Sequence, residues 1–310
     1  MIITGAFRGR QHLAVGGHLC FFKILCKKAR KAYGRLAACK GVCYHGQKRK
    51  GEKMRIVIKV GTSNITHKTG YLNIRHVEEL VKVLADIKNA GHEIVLVSSG
   101  AIAMGVGKLH LSARPTDIAS KQACAAVGQC ELMYVYDGLF SGYNHTVAQI
   151  LLTAPDLASE ERRAKFQATL ERLLALGALP IINENDTVAT EEIEFGDNDT
   201  LGARVAVNAN ADLLILLSDI DGLYTADPRS NPSARCIPDV YGVDDEIMAL
   251  AGGAGSSLGT GGMLTKLRAA RLANASGCDM IIMNGDHPEA LYRVVSGESV
   301  GTRFHANGVH

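Results

Sequence analysis

Residues 55–63 read RIVIKVGTS. Ile56, Val57, Ile58 and Val60 are β-branched, and Gly61-Thr62-Ser63 follows at once. That is the pattern of a short buried strand that delivers the chain into a loop of small residues. Lys59 interrupts the apolar run one residue before its end. A charged side chain there is costly unless it reaches solvent at the strand's rim or faces an anion. The loop beside it exposes backbone N–H groups, which favours the anion.

The same unit recurs downstream. Asn73 is placed to cap a helix running to about Ala90, with Val77, Leu80, Val81 and Leu84 on one face and Gly91 at its end. Residues 93–97 (EIVLV) run into Ser98-Ser99-Gly100-Ala101, and a long helix is predicted from about Thr116 to Phe140. A strand near Val147–Leu152 precedes a charged helix from about Asp156 to Leu176. Residues 178–182 (ALPII) then end in Asn183-Glu184-Asn185-Asp186. Thr187–Phe195 alternates polar and apolar residues, the pattern of an exposed hairpin, and Gly196-Asp197-Asn198-Asp199 caps a helix to about Ala209.

A second half begins at Ala211 with the strand Leu213–Leu217 and the loop Ser218-Asp219. An irregular stretch from Gly222 to Pro238, a short helix near Asp244–Ala251, a helix from about Met263 to Ser276 and a last buried strand at Met280–Ile282 follow. Alternation of this kind predicts an α/β fold. Its mostly parallel central sheet is sandwiched between helices, with the site in the loops at the carboxyl ends of the strands.

Composition agrees and adds a boundary. Hydrophobic residues make up 47% of the 310, enough for a large core, and 33 Gly with no Trp suit short punctuated loops. Residues 1–53 carry 13 Lys and Arg against one acid, leaving residues 54–310 with 21 bases, 30 acids and a net charge of −9. An acidic body has no basic face for nucleic acid. No apolar run is long enough to span a membrane. Cys124, Cys130, Cys236 and Cys278 are widely spaced, so buried free thiols of a reducing, cytoplasmic compartment are expected.

Residues 1–53 are read as a basic N-terminal extension with no folded role, because Met54 stands directly before the first strand. A transit-peptide composition and a zinc module built on Cys20, Cys26, Cys39 and Cys43 are the alternatives.

A second lysine reinforces the reading of Lys59. Residues 259–266 (GTGGMLTK) place an anion-cradling loop before a helix with Lys266 in its first turn. A cation there opposes the helix dipole unless an anion compensates. No GxxxxGK[ST] occurs, so this is not a Walker A loop. Asn183, Asp186, Asn198 and Asp199 supply small polar side chains from two loops, each able to serve as a mere cap or turn former. Beside two anion-facing lysines they suggest phosphoryl transfer by positioning and charge neutralisation.

The ordered motifs KVGTS (59–63), VSSGA (97–101), INEND (182–186), GDND (196–199), GLYTADPR (222–229) and GTGGMLTK (259–266) closely resemble the glutamate 5-kinases of the amino acid kinase family. The resemblance covers residues 54–310, read as a short form without the C-terminal PUA domain that many members carry. GLYTADPR is shared with aspartate and uridylate kinases, whereas INEND and GDND at this spacing are far more specific. The resemblance implies a carbamate kinase-like fold, with a glutamate-binding part at about 54–210 and a nucleotide-binding part at about 211–310.

It also implies residue roles. Lys59 and Lys266 would neutralise the transferring phosphoryl group and Asp199 would orient them. Ser99, Asn183, Asp186 and Asn198 would bind glutamate. Lys59, Gly61, Ser218, Asp219 and the run Thr260, Gly261, Gly262, Met263, Leu264, Thr265 and Lys266 would bind nucleotide. ATP and Mg2+ are the implied cofactors, the metal being held through the phosphates and not by protein ligands. L-glutamate is the implied substrate, L-proline a feedback inhibitor, and a homo-oligomer the implied assembly. N-acetylglutamate kinase, aspartate kinase or an inactive amino-acid sensor are the alternatives.

Overall fold

The computed structural model describes residues 52–189, 198–251 and 262–306. The basic extension up to Gly51, most of the expected hairpin and the Gly-rich segment before Gly262 lie outside the described residues.

The apolar runs form the strands of one sheet. These are β1 (Arg55–Val60), β2 (Glu93–Ser98), β3 (Val147–Leu152), β4 (Leu179–Glu184), β5 (Leu213–Ser218), β6 (Asp239–Val240), β7 (Asp279–Asn284) and β8 (Thr302–Phe304). Their order is β3-β4-β2-β1-β5-β7-β8-β6, parallel throughout except where β8 runs antiparallel to β7. Register brings the strand ends together: Val60 lies opposite Ser98 and Leu217, Val97 opposite Ile182, and Ser218 opposite Asn284. The small-residue loops that follow β1, β2, β4 and β5 therefore share one edge of the sheet.

The helices are α1 (Thr62–Ile65), α2 (Ile74–Asn89), α3 (Ala101–Lys108), α4 (Ile118–Ser141), α5 (Ala154–Ala158), α6 (Glu160–Ala175), α7 (Asn198–Asn208), α8 (Asp245–Leu250), α9 (Met263–Ala275) and α10 (Ala290–Val295). Successive strand side chains point to opposite faces. Val57 packs with Leu170, Leu201 and Leu267 of α6, α7 and α9, whereas Ile56, Ile58 and Val60 pack with Leu84, Tyr136 and Leu291 of α2, α4 and α10. Lys59 shares the face of Val57, so its side chain is delivered to the α7 and α9 layer. On α2 the buried residues Val77, Leu80, Val81 and Leu84 form the predicted stripe, each worth roughly 1.5–3 kcal/mol when fully buried.

Several expectations need correction. Met280–Ile282 is not in the last strand, because β8 follows with Thr302 and Phe304 fully buried. Three residues are too few to show a period. The helix expected over 156–176 is two helices, divided at Ser159, whose hydroxyl accepts from the Arg162 N–H at 3.4 Å. Asn73 holds the predicted N-cap position of α2 but makes no side-chain capping bond. Of the four body cysteines, Cys124 and Cys278 are buried free thiols, but Cys130 and Cys236 are exposed.

Candidate active site

Asp199, the second residue of α7, is fully buried and receives both lysines. Lys59 Nζ lies 2.5 Å from Oδ1, and Lys266 Nζ lies 3.0 Å from Oδ2. Both ammonium groups are themselves buried, at 7% and 6% exposure for the two residues. The carboxylate suits the first turn of α7, where the helix dipole favours negative charge, while Lys266 occupies the first turn of α9, where the dipole opposes it. The Thr265 hydroxyl donates to the Gly262 carbonyl at 2.7 Å and lies 3.4 Å from Asp199 Oδ2. Three elements remote in sequence thus converge on one carboxylate.

Beside this triad, Asn198 gathers the predicted amino-acid side. Its Nδ2 donates to Ser99 Oγ at 2.7 Å, to Asn183 Oδ1 at 3.1 Å and to the Ser98 carbonyl at 3.4 Å. Gly100 makes the turn between Ser99 and α3 with φ of +103°, a left-handed conformation that residues with a Cβ rarely adopt. Asp186 follows in the turn after β4, where Val188 N–H donates to the Asn185 carbonyl at 3.1 Å. Burial pushes the Asp186 carboxyl up to about 6, against the pull of Arg114. Burial, helped by Asp186, pushes the Glu184 carboxyl up to about 7. Two half-buried carboxyls that hold protons near neutrality make a site that a cation would relieve.

On the other flank, Gly61 and Ser218 mark the ends of β1 and β5. Ser218 Oγ donates to Asp219 Oδ1 at 3.2 Å, and the Gly285 N–H donates to the Ser218 carbonyl at 2.8 Å. Asp219 is exposed, with the Arg229 guanidinium 3.8 Å away. Asn64 of α1 is buried, and its Oδ1 has no hydrogen-bond partner. Met263, Leu264 and Thr265 form the first turn of α9 with Gly262 at its N-cap; Thr260 and Gly261 lie outside the described residues. Two ammonium groups, small-residue strand ends and a helix N-terminus form a donor set that fits a polyphosphate.

Sequence reasoning missed three residues here. Glu184 lay within a quoted motif with no role given to it. Gln129 and Tyr136 of α4 are buried and reach Asn183 Nδ2 at 2.9 Å and Ser98 Oγ at 2.9 Å respectively. The signal available was two polar side chains, two turns apart, on one face of a long helix.

Comparison with known proteins identifies the family. Residues 54–284 match the amino acid kinase family. The chain is 50% identical over 257 residues to the glutamate 5-kinase of Clostridium perfringens, covering 82% of this chain and 96% of that one. It is 53% identical over 252 residues to the glutamate 5-kinase of Carboxydothermus hydrogenoformans, covering 81% of this chain and 68% of the longer relative. Among solved structures, a carbamate kinase from Giardia lamblia bound to AMP-PNP superposes with a TM-score of 0.59 at 16% identity, over 82% of this chain and 99% of that one. A UMP kinase from Bacillus anthracis gives 0.57 at 18% identity, over 83% and 99%. With the family match over residues 54–284 and relatives at half identity, the chain belongs to the amino acid kinase family, in which glutamate 5-kinases are among its relatives.

Proposed function

We propose that this chain transfers the γ-phosphoryl group of ATP to the side-chain carboxylate of L-glutamate, giving ADP and L-glutamyl 5-phosphate, the first step toward proline. The observation that carries it is the convergence of Lys59 and Lys266 on buried Asp199, next to the Ser99, Asn183 and Asn198 cluster. No side chain need act as a nucleophile. The substrate carboxylate attacks in line, Lys59 and Lys266 stabilise the charge that develops on the transferring group, and Asp199 holds both ammoniums in place. Held with the nucleotide and not by protein side chains, Mg2+ would supply further charge neutralisation. Residues 54–310 are the catalytic unit, with glutamate on the Ser99 and Asn198 side and nucleotide on the Ser218 and α9 side. On the same reading L-proline is a feedback inhibitor, and the enzyme works as a homo-oligomer in the cytoplasm.

The acidic lining favours a free amino acid over an acylated one, since Glu184 and Asp186 gain from an ammonium that N-acetylation would remove. Coupled ADP release is therefore expected with L-glutamate and not with N-acetylglutamate. A rate independent of glutamate would refute the reading.

The same pair gives a pH dependence. An ammonium binds the ionised carboxylates and so competes with their protons. The KM for glutamate is expected to fall as pH rises from about 5.5 to about 7.5 and then to level off. Asp186→Asn should raise KM about tenfold at the upper end, the scale of one charge-assisted hydrogen bond, and flatten the slope. Stability runs the other way. Both folded pKa values lie above the unfolded ones, so the contribution is fully present in acid and is lost as pH rises through about 6 and 7. The Tm of the wild type should accordingly decline relative to Asp186→Asn between about pH 4 and about pH 6 and level off above that. A glutamate KM that ignores pH would detach the pair from the ammonium.

A further inference from the structure

The amides on the amino-acid side form a chain whose polarity is fixed at both ends by backbone groups. The Glu184 N–H can only donate, and it meets Asn183 at 2.9 Å, so the atom facing it is Oδ1. Asn183 Nδ2 must then face Gln129, 2.9 Å away, and the Gln129 atom that receives it is Oε1. At the other end the Ser98 carbonyl can only accept, so the Asn198 atom facing it is Nδ2. That nitrogen also donates to Asn183 Oδ1 and Ser99 Oγ. The orientations normally left open for Asn and Gln side chains are therefore settled by the network itself.

From this geometry we infer that Gln129 is a positioning residue for the amino acid, acting through Asn183 and Asn198. The inference rests on the glutamate kinase reading above. With Nδ2 of Asn198 engaged by three acceptors, its Oδ1 is the atom left to accept from a ligand, which suits an ammonium. Ser99 Oγ accepts from Asn198, so its own proton is left to donate, which suits a carboxylate. Backbone groups set this pattern of acceptor and donor, which matches a zwitterion, and the Gln129 acceptor on α4 braces it from the Asn183 side. If the Gln129 acceptor is lost, Asn183 Nδ2 is left without it in a buried position, and the Asn183 side chain is held on its oxygen side only, by the Glu184 N–H and Asn198.

The helix is held close enough for this by its neighbour in sequence. A Cβ on Gly128 would collide with the Ala101 carbonyl oxygen, so only glycine lets α4 pack this closely on the first turn of α3, two residues after Ser99. Tyr136 of the same helix face holds Ser98 Oγ at 2.9 Å. Gln129 and Tyr136 together brace the ends of β4 and β2, but only Gln129 acts on the amide chain.

The test compares two substitutions of similar length in the full chain. Gln129→Met fills the space without an acceptor, and Gln129→Glu keeps a carboxyl oxygen to accept from Asn183. Gln129→Met should raise the glutamate KM about tenfold, with kcat within about threefold of wild type and the ATP KM unchanged. Gln129→Glu should keep the glutamate KM within about threefold, because its oxygen can still accept from Asn183. A wild-type glutamate KM in Gln129→Met would overturn the relay, as would equal losses in both variants or a parallel loss of ATP binding, since those outcomes mark packing alone. A wild-type chain whose ADP release ignored glutamate would instead overturn the reading beneath it, together with the role given to Gln129.

Discussion

Lys266→Met is expected to lower kcat by about two to three orders of magnitude, the scale seen when one group aimed at developing charge is removed. The structure explains why the loss should fall on turnover and spare the fold. Methionine replaces the stem of a buried side chain at similar volume, and Asp199 keeps the Lys59 ammonium 2.5 Å from Oδ1. The carboxylate is therefore not stranded. Glutamate binding should survive as well, because the Ser99, Asn183 and Asn198 contacts do not pass through Lys266. Lys266→Arg separates charge from shape. Its guanidinium is planar and larger than an ammonium, so it should restore little at a site where a point charge meets Asp199 Oδ2 at 3.0 Å. Steady-state kinetics at saturating ATP and glutamate decide the matter, and near-normal kcat in Lys266→Met would remove this lysine from the chemistry.

How much of this could be read from sequence follows from what each feature depends on. Strands β1, β2, β5 and β7 are buried on both faces, so they appear in the sequence as apolar runs, interrupted in β1 by Lys59. Lys59 and Lys266 were legible for the converse reason, each being a charge where local physics disfavours one. By contrast β6 and β8 have two and three residues, and their existence depends on pairing with each other and on β8 pairing with β7. The division between α5 and α6 turns on one capping serine inside a stretch that otherwise reads as helix throughout. The amide chain was the least legible part. Gln129 and Asn183 lie 54 positions apart, and Tyr136 and Ser98 lie 38 apart, so only the sheet register and the approach of α4 bring them together.

Asp199→Ala should be the most damaging single substitution in the site, and its damage should differ in kind from that of Lys266→Met. It withdraws the carboxylate from two buried ammonium groups at once, and breaking a buried ion pair from one side typically costs about 3–5 kcal/mol. On that scale a domain with the usual marginal stability is left close to unfolding. Asp199→Asn keeps the volume but can accept with only one of its two atoms, so one lysine retains a partner while the other meets an N–H donor. Its loss of stability should be intermediate, while its kcat should still fall by at least two orders of magnitude, because Lys59 and Lys266 are no longer held by a common anion. Denaturant unfolding and kcat, measured on both variants, give four values that must fall in this order. If Asp199→Ala unfolded at the wild-type denaturant midpoint, the two lysines would not depend on Asp199, and its role as the centre of the triad would be lost.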